Sequence, residues 1–202
     1  IVISASHNPW QDNGIKLFGP DGMKLADAIE HEIEAEIFEH INELAGEHGE
    51  PTKDSKDVLP GEAKLREDYV NWLLTNIHTA AVRGMRVLVD CANGAATSAA
   101  PELFRKCGVE AEYLHVHPDG RNINNGCGAL HPEHVAKHVA EANGAYELGI
   151  TFDGDADRAL FSDSRGQVVN GDAVMLLAAR DMKARGMLKQ NTVVSTTMSN
   201  MG

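Results

Sequence analysis

Two short stretches carry residue types and spacings that do chemistry. In "TFDGDADR" (151–158), Asp153, Asp155 and Asp157 alternate directly after an apolar run, with Gly154 among them. Alternate side chains of an extended chain share a face, so the three carboxylates converge and repel. At about 4 Å and an effective dielectric of about 20, each pair costs about 4 kcal/mol. A divalent cation turns that cost into attraction, and hard oxygen ligands select Mg²⁺ or Ca²⁺ over softer metals. An EF-hand loop also opens D-x-D-x-D, but it needs Gly at its sixth position and Glu at its twelfth. Arg158 and Ser164 stand there, and a strand rather than a helix precedes them. Three protein oxygens leave an octahedral Mg²⁺ open positions for phosphate oxygen or water, and the Arg158 guanidinium suits phosphate. The plainer alternative, an acidic surface turn with an Arg ion pair, leaves carboxylates without a counter-charge.

The second stretch is "ISASHNP" (3–9). Ile1, Val2 and Ile3 read as the end of a buried strand, and Pro9 bars regular structure at Asn8. A hydroxyl on a short loop at a strand end is where α/β proteins place reactive groups. A serine hydroxyl alone is a poor nucleophile, but a phosphoserine stores a phosphoryl group whose transfer a bridging metal assists. The two loops together fit one phosphoryl-transfer site.

The elements that must position these loops alternate along the chain. Residues 14–18 read as a strand, "GPDG" (19–22) as a turn, and 26–44 as an amphipathic helix with Ile29, Ile33, Ile37, Ile41 and Leu44 on its inner face. Residues 46–61 read as a long polar loop, and 64–78 as a helix with Leu65, Tyr69, Trp72, Leu73 and Ile77 inward. From Arg83 onward the rhythm becomes strand–helix–strand: "MRVLVDCANGAA", a helix to about Lys106, "VEAEYLHV", the Gly/Asn-rich loop "HPDGRNINNGCG", a helix opening at Pro132, then "YELGITFD". "RALFSDSRGQVV" reads as an edge hairpin, "GDAVMLLAARDMKARG" as a helix, and "NTVVSTTMSNMG" as the opening of another strand. This alternation predicts an α/β fold with mixed, mainly parallel sheets covered by helices. Asn93-Gly94 is expected to turn the chain after the first strand of this unit. The "NINNG" stretch (122–126) is long for a plain connection and is expected to face the cleft. His131, His134 and His138 fall near helical spacing and read as exposed rather than metal-bound.

Composition bounds the rest. The chain has 202 residues, 43% of them hydrophobic, and a formal net charge of −12. That charge opposes a nucleic-acid or anionic-membrane partner, and no run of about 18 apolar residues is present. Cys91, Cys107 and Cys127 are odd in number and lack C-x-x-C spacing, which speaks against disulfides and zinc and for reduced thiols in a cytoplasmic protein. The chain does not begin with Met and starts inside an apparent strand, which reads as part of a longer protein.

"SASHNPWQDNGIK" followed by "DGDADR" resembles the α-D-phosphohexomutase superfamily, which carries a (T/S)-A-S-H-N-P serine loop, N-G-x-K downstream of it, and a D-G-D-x-D-R metal loop. Within that superfamily, Ile3 to Ser6, "DNGIK" (12–16), "VDCANGAA" (89–96), "GRNINNGCG" (120–128) and "MSNMG" (198–202) are similar to the bacterial phosphoglucosamine mutase branch. The resemblance implies a four-domain enzyme around a central cleft, with residues 1–80 the later part of domain 1, 81–187 a complete domain 2, and 188–202 the start of domain 3. It implies that Ser6 is the phosphoserine, rather than its neighbour Ser4. Mg²⁺ would then be held by Asp153, Asp155, Asp157 and an oxygen on Ser6. His7 would sit at the phosphate, Lys16 would be a general acid–base or phosphate contact, and Arg158 would tune the phosphoserine charge.

The implied reaction interconverts glucosamine 6-phosphate and glucosamine 1-phosphate through a bound 1,6-bisphosphate, toward UDP-N-acetylglucosamine and the cell wall. The sugar-reading and phosphate-gripping loops of the later domains would lie beyond Gly202, so the chain by itself is expected to bind Mg²⁺ weakly and not to turn over. The rivals are a phosphoglucomutase or phosphomannomutase, a non-catalytic relative that binds sugar phosphates, and a bare metal-binding module.

Overall fold

A computed structural model describes residues 1–44 and 62–199. The loop expected over 46–61 and the last three positions of "MSNMG" lie outside the described residues. The chain begins as a ribbon in which β1 (Val2–Ser4) pairs antiparallel with β2 (Gly14–Lys16), Ile3 opposite Ile15 and Ser4 opposite Gly14. The connection between them holds the serine loop and a 3₁₀ turn at Trp10–Asp12. The "GPDG" turn closes by an N–H···O bond of 3.0 Å from Gly22 to Gly19, with Phe18 bridging Lys24. Helix α1 (Asp27–Leu44) follows.

The strand at the start is real but not buried, since Ile3 is 71% exposed. Its two-stranded sheet gains no third strand among the described residues. The stripe on α1 fares likewise: Ile29, Ile37 and Ile41 are exposed, and Ile33 is half-buried. Period and pairing follow from local sequence, whereas burial requires a second surface.

After α2 (Glu62–Thr75) and the single turn α3 (Thr79–Val82), the chain builds one five-stranded sheet in the order β4-β3-β5-β6-β7. Its members are β3 (Arg86–Asp90), β4 (Glu110–Leu114), β5 (Leu148–Phe152), β6 (Ala159–Asp163) and β7 (Val168–Val169). Strand β3 runs parallel to β4 and β5, through crossovers carrying α4 (Ala96–Cys107) and α5 (Pro132–Glu141). The β6–β7 pair is the edge hairpin expected of "RALFSDSRGQVV", and the expectation of mainly parallel pairing is corrected at β5–β6, which is antiparallel as well. Residues 153–158 are too few for a crossover, so β5 must turn back on itself. That reversal places the aspartate stretch at a hairpin tip.

Alternation along β3 divides the core. Val87 and Val89 pack with Cys91, Ala96, Ala100 and Ile150 beneath α4, while Leu88 packs with Val135 and Val139 of α5. Helix α4 stops at Gly108, which adopts φ +72° and returns its N–H to Arg105 and Phe104. Helix α5 opens on Pro132, where a missing N–H costs nothing.

Helix α2 packs on α4, with Val70 buried and Asn71 Oδ1 accepting from Lys106 Nζ at 2.9 Å. The inward face expected for α2 is corrected: Leu65, Tyr69 and Trp72 are exposed, Tyr69 stacking on Trp72. Val70 is buried instead, while Leu73 and, past the helix end, Ile77 are half-buried as expected, Ile77 lying by Leu103, Phe104 and Cys107 of α4. Helix α6 (Gly171–Ala184) is capped by Asn170, whose Oδ1 accepts from the Ala173 N–H at 3.0 Å. The strand expected after it does not form among the described residues. Val194 is 88% exposed, with no strand edge beside it. Among the described residues, no helix is long and apolar enough to cross a membrane.

All three cysteines are free and buried. Burial pushes the thiol of Cys91 up to about 12 and that of Cys127 up to about 11, the Asp90 charge adding to both, and burial raises Cys107 as well. At pH 8 a thiol at about 12 holds roughly one thiolate in 10,000, and only the thiolate reacts. A disulfide reagent at pH 8 is therefore expected to label none of the three within minutes in the native chain, and all three in guanidinium. Fast native labelling would contradict the burial described.

Candidate active site

The serine loop is tightly turned. Asn8 donates its N–H to Ala5 O at 2.8 Å, and Ser6 donates its N–H to Ser4 Oγ at 3.0 Å. Ser6 itself stands at φ +50°, a left-handed conformation that a serine adopts only when held there. Its carbonyl is the point of attachment to the central sheet, accepting from the Gly154 N–H at 3.0 Å and from Asn124 Nδ2 at 2.7 Å. Asn124 Nδ2 also donates to Asn8 O at 2.8 Å. The Ser6 hydroxyl lies 3.3 Å from His7 Nδ1.

The aspartate stretch forms the β5–β6 hairpin tip. Asp153 exchanges backbone contacts with Ala156 (3.0 Å) and Arg158 (3.3 Å), and Ala156 takes φ +59°. The carboxylates thus meet because the chain turns, not because it stays extended, which corrects the geometry expected from alternation. One oxygen of each of Asp153, Asp155 and Asp157 lies within 4.8 Å of the others.

Their electrostatics differ. Asp153 is fully buried: Oδ1 accepts from the Arg158 N–H at 3.0 Å, while Oδ2 is buried without a protein partner. Burial raises the Asp153 carboxyl, only partly offset by that N–H, and the neighbouring Asp155 charge pushes it further. Asp155 Oδ2 accepts from Ser4 Oγ at 2.8 Å and Lys16 Nζ at 3.0 Å, while Oδ1 is buried and unpartnered. Burial pulls the Asp155 carboxyl upward, but the Lys16 and Ser4 hydrogen bonds outweigh it and hold it low. Two buried carboxylate oxygens without donors are costly unless a cation satisfies them. The donor set fits a hard divalent ion.

Three backbones come close here. A Cβ on Gly154 would stand 2.4 Å from Ser6 O, and a Cβ on Gly94 would stand 2.2 Å from Gly154 O. The Ala95 N–H reaches that same Gly154 oxygen at 2.8 Å. The Asn93-Gly94 turn is therefore needed for contact with the aspartate turn as well as for reversing the chain.

The structure thus brings Ser4, Ser6 and Lys16 to the aspartate turn. His7, Asp157 and Arg158 line an adjoining open cleft of about 430 Å³ with Ala129, Leu130 and Leu160. The Arg158 guanidinium stays largely exposed there, 4.0 Å from Asp157. His131 and His134 stack on the surface, with ring centroids 5.4 Å apart and Glu133 beside them.

Two family models match the chain. Residues 1–43 match phosphoglucomutase/phosphomannomutase α/β/α domain I, and residues 67–166 match α/β/α domain II. The chain belongs to the phosphoglucomutase/phosphomannomutase family. Among curated relatives it is 63% identical over 202 residues to a phosphoglucosamine mutase of Koribacter versatilis and 47% identical over 201 residues to one of Deinococcus deserti. All of this chain is covered in both comparisons, but it spans only 43% and 42% of those relatives. Among solved structures, a phosphoglucomutase/phosphomannomutase family protein from Burkholderia thailandensis aligns over 92% of this chain and 38% of its own, at 27% identity and a TM-score of 0.62.

In this family member the serine loop lies within the domain I match and the aspartate turn within the domain II match, so the site sits where the two domains meet. Sequence reasoning did not single out Asp90. It is fully buried, and its carboxylate accepts from the Ala92 N–H (2.8 Å) and the Gly128 N–H (3.0 Å), with His115 Nδ1 also at 3.0 Å. The signal was present as a lone acid closing the apolar run "VLVD". Asn124 was anticipated only as part of "NINNG".

A divalent cation at 100 times its Kd is expected to stabilise the chain by about 2.7 kcal/mol, a Tm rise of roughly 5–10 °C. Asp153→Asn should remove most of that rise, and an unmoved Tm in the unaltered chain would refute the site. Gly94→Ala should cost about 2 kcal/mol by forcing the two turns apart. Gly171→Ala, where nothing lies within 4 Å, should change stability by less than about 0.5 kcal/mol in the same melts.

Proposed function

We propose that this chain carries the phosphoserine and metal loops of a phosphoglucosamine mutase that interconverts glucosamine 6-phosphate and glucosamine 1-phosphate through a bound 1,6-bisphosphate. The observation that carries the reading is the direct bond between the two loops, Gly154 N–H to Ser6 O at 3.0 Å, with Ser4 and Lys16 on Asp155 beside it. The choice of hexosamine rests on the two relatives named phosphoglucosamine mutase. Mannose and glucose phosphates remain the competing substrates.

In this reading Ser6 carries the phosphoryl group. Ser4 Oγ donates to Asp155 and accepts from the Ser6 N–H, which suits a bracing hydroxyl rather than a second nucleophile. Mg²⁺ would be held by Asp153, Asp155, Asp157 and an oxygen on phosphorylated Ser6. When bound it would neutralise charge on the phosphoryl oxygens. The Ser6 Oγ–P bond breaks as the sugar's free 1- or 6-oxygen bonds to phosphorus, and the proton lost by that sugar hydroxyl is matched by one gained at Ser6 Oγ. After the bisphosphate turns over, the other phosphate returns to Ser6.

Lys16, the cation of an ion pair with Asp155, fits phosphate contact and proton donation. His7, beside the Ser6 hydroxyl, fits the phosphate, and Arg158 fits the charge of the phosphoserine and the substrate. In this reading residues 1–80 belong to domain 1, 81–187 to domain 2 and 188–202 open domain 3 of a four-domain enzyme, although the domain II match itself begins at residue 67. A cytoplasmic place in UDP-N-acetylglucosamine formation completes the reading.

Incubation of the longest natural form of the protein with a hexosamine 1,6-bisphosphate and Mg²⁺ should place phosphate on the peptide holding Ser6, read by mass spectrometry. Ser6→Ala should abolish the label, and Ser4→Ala should keep it on Ser6. Phosphate on Ser4, or none, would sink the mutase reading, and none would favour a sugar-phosphate binder. Relative turnover of glucosamine and glucose 6-phosphates by the longest natural form of the protein decides the sugar.

A further inference from the structure

We infer that Asn124 is a positioning residue for Ser6: its side-chain amide fixes the serine loop's backbone and with it the placing of the Ser6 hydroxyl relative to the aspartate turn. The inference rests on the reading of Ser6 as the phosphoryl carrier. Asn124 is 8% exposed and stands at φ +56°, a conformation that asparagine tolerates better than most residues. Both protons of its amide are used, one on Ser6 O at 2.7 Å and one on Asn8 O at 2.8 Å. These two carbonyls bracket His7 and fix the turn that holds Ser6 left-handed.

The grip is anchored from behind. The Asn124 N–H bonds Ala92 O at 3.0 Å, and Asp90 takes the N–H groups of Ala92 and Gly128 on its two oxygens. One buried carboxylate thus ties the Ala92 turn, on which Asn124 hangs, to the far end of the Asn124 loop. The neighbouring Asn122 is spent within its own loop, on His117 O and the Asp119 N–H, so it offers no substitute. Arg121 of the same loop lies 5.4 Å from the Trp10 ring centre, a second grip on the serine segment and an optical reporter of it.

The test compares the full chain with Asn124→Gly, which keeps the left-handed backbone and removes only the amide. Both carry Trp72→Phe, leaving Trp10 as the sole tryptophan of the two in the chain. Three effects are expected of Asn124→Gly with its far-UV circular dichroism unchanged. The Trp10 emission shifts. The amides of residues 6–8 exchange about 10-fold faster. In the longest natural form of the protein, phosphorylation of Ser6 by a hexosamine 1,6-bisphosphate and Mg²⁺ slows about 100-fold at saturation, while the half-saturating concentration moves less than about threefold. A merely structural asparagine would lower Tm without that split between rate and half-saturation.

Wild-type rates in Asn124→Gly, or unchanged Trp10 emission and exchange, would overturn the proposal. If Asn124→Gly fails to fold, the isosteric Asn124→Asp carries the same test, since a carboxylate cannot donate to two carbonyls. If the longest natural form of the protein, unaltered, takes no phosphate on Ser6, the mutase reading fails, and the emission and exchange results still decide the clamp.

Discussion

One carbonyl oxygen, that of Ser6, joins two distant parts of the chain. It receives the Gly154 N–H from the aspartate turn and the Asn124 amide from the Gly/Asn-rich loop. Those donors come from different connections of the same sheet, so the sheet's topology is what lets them converge. Strand β5 lies next to β3, and the loops leaving their carboxyl ends open on one side. Open α/β sheets place their ligands at such ends. The close approach leaves no room for a side chain on Gly94 or Gly154, and an added methyl there would push the aspartate turn off the serine loop before it met any ligand.

The aspartate turn concentrates negative charge, and the protein answers it unequally. Asp155 is countered by Lys16 and Ser4, both contributed by the ribbon. Asp153 receives only a backbone N–H, and its second oxygen faces no donor. The ribbon's docking therefore settles one carboxylate and leaves the remaining deficit for a cation. This division explains why burial raises Asp153 while Asp155 is held low, although the two stand two residues apart. It also makes ribbon docking and cation binding energetically linked, since each relieves repulsion that the other would meet.

Much of the fold was legible because the central sheet is locally consistent. Apolar runs of strand length, Gly and Pro at the turns, and the helix periods at 96–107 and 132–141 all agree with the elements formed. The candidate site residues stood out as two motifs, and the Gly154–Ser6 bond shows that the two loops touch. What could not be read were facts about second surfaces. Which apolar residues of α2 are covered depends on where α4 lies, and exposure of Ile3 depends on the absence of a neighbour that no local pattern reports. The antiparallel β5–β6 pair, beside the edge hairpin that was expected, came from a connection length, which the sequence displayed and the alternation argument outweighed. Asn124 was hidden for another reason: an asparagine in a Gly/Asn-rich loop looks like turn chemistry, and only the fold shows that its amide is spent on a different segment.

The uneven burial has a consequence for how the site holds together. Among the described residues the buried apolar side chains lie mostly in the sheet, its two crossover helices and the loops leaving them, while the ribbon and its connection contribute only Ala5. A segment that buries so little apolar surface cannot be fixed by the hydrophobic effect at about 25 cal/mol per Å². Its position must come from directed polar contacts: the Ser6 and Asn8 carbonyls on Asn124, the Ser6 carbonyl on Gly154, and Lys16 and Ser4 on Asp155. Directed contacts fix geometry more sharply than apolar packing does, but each fails abruptly when a partner is lost. The part of the chain that presents the reactive serine is thus held by the same groups that balance charge at the aspartate turn, and stability there cannot be separated from the chemistry.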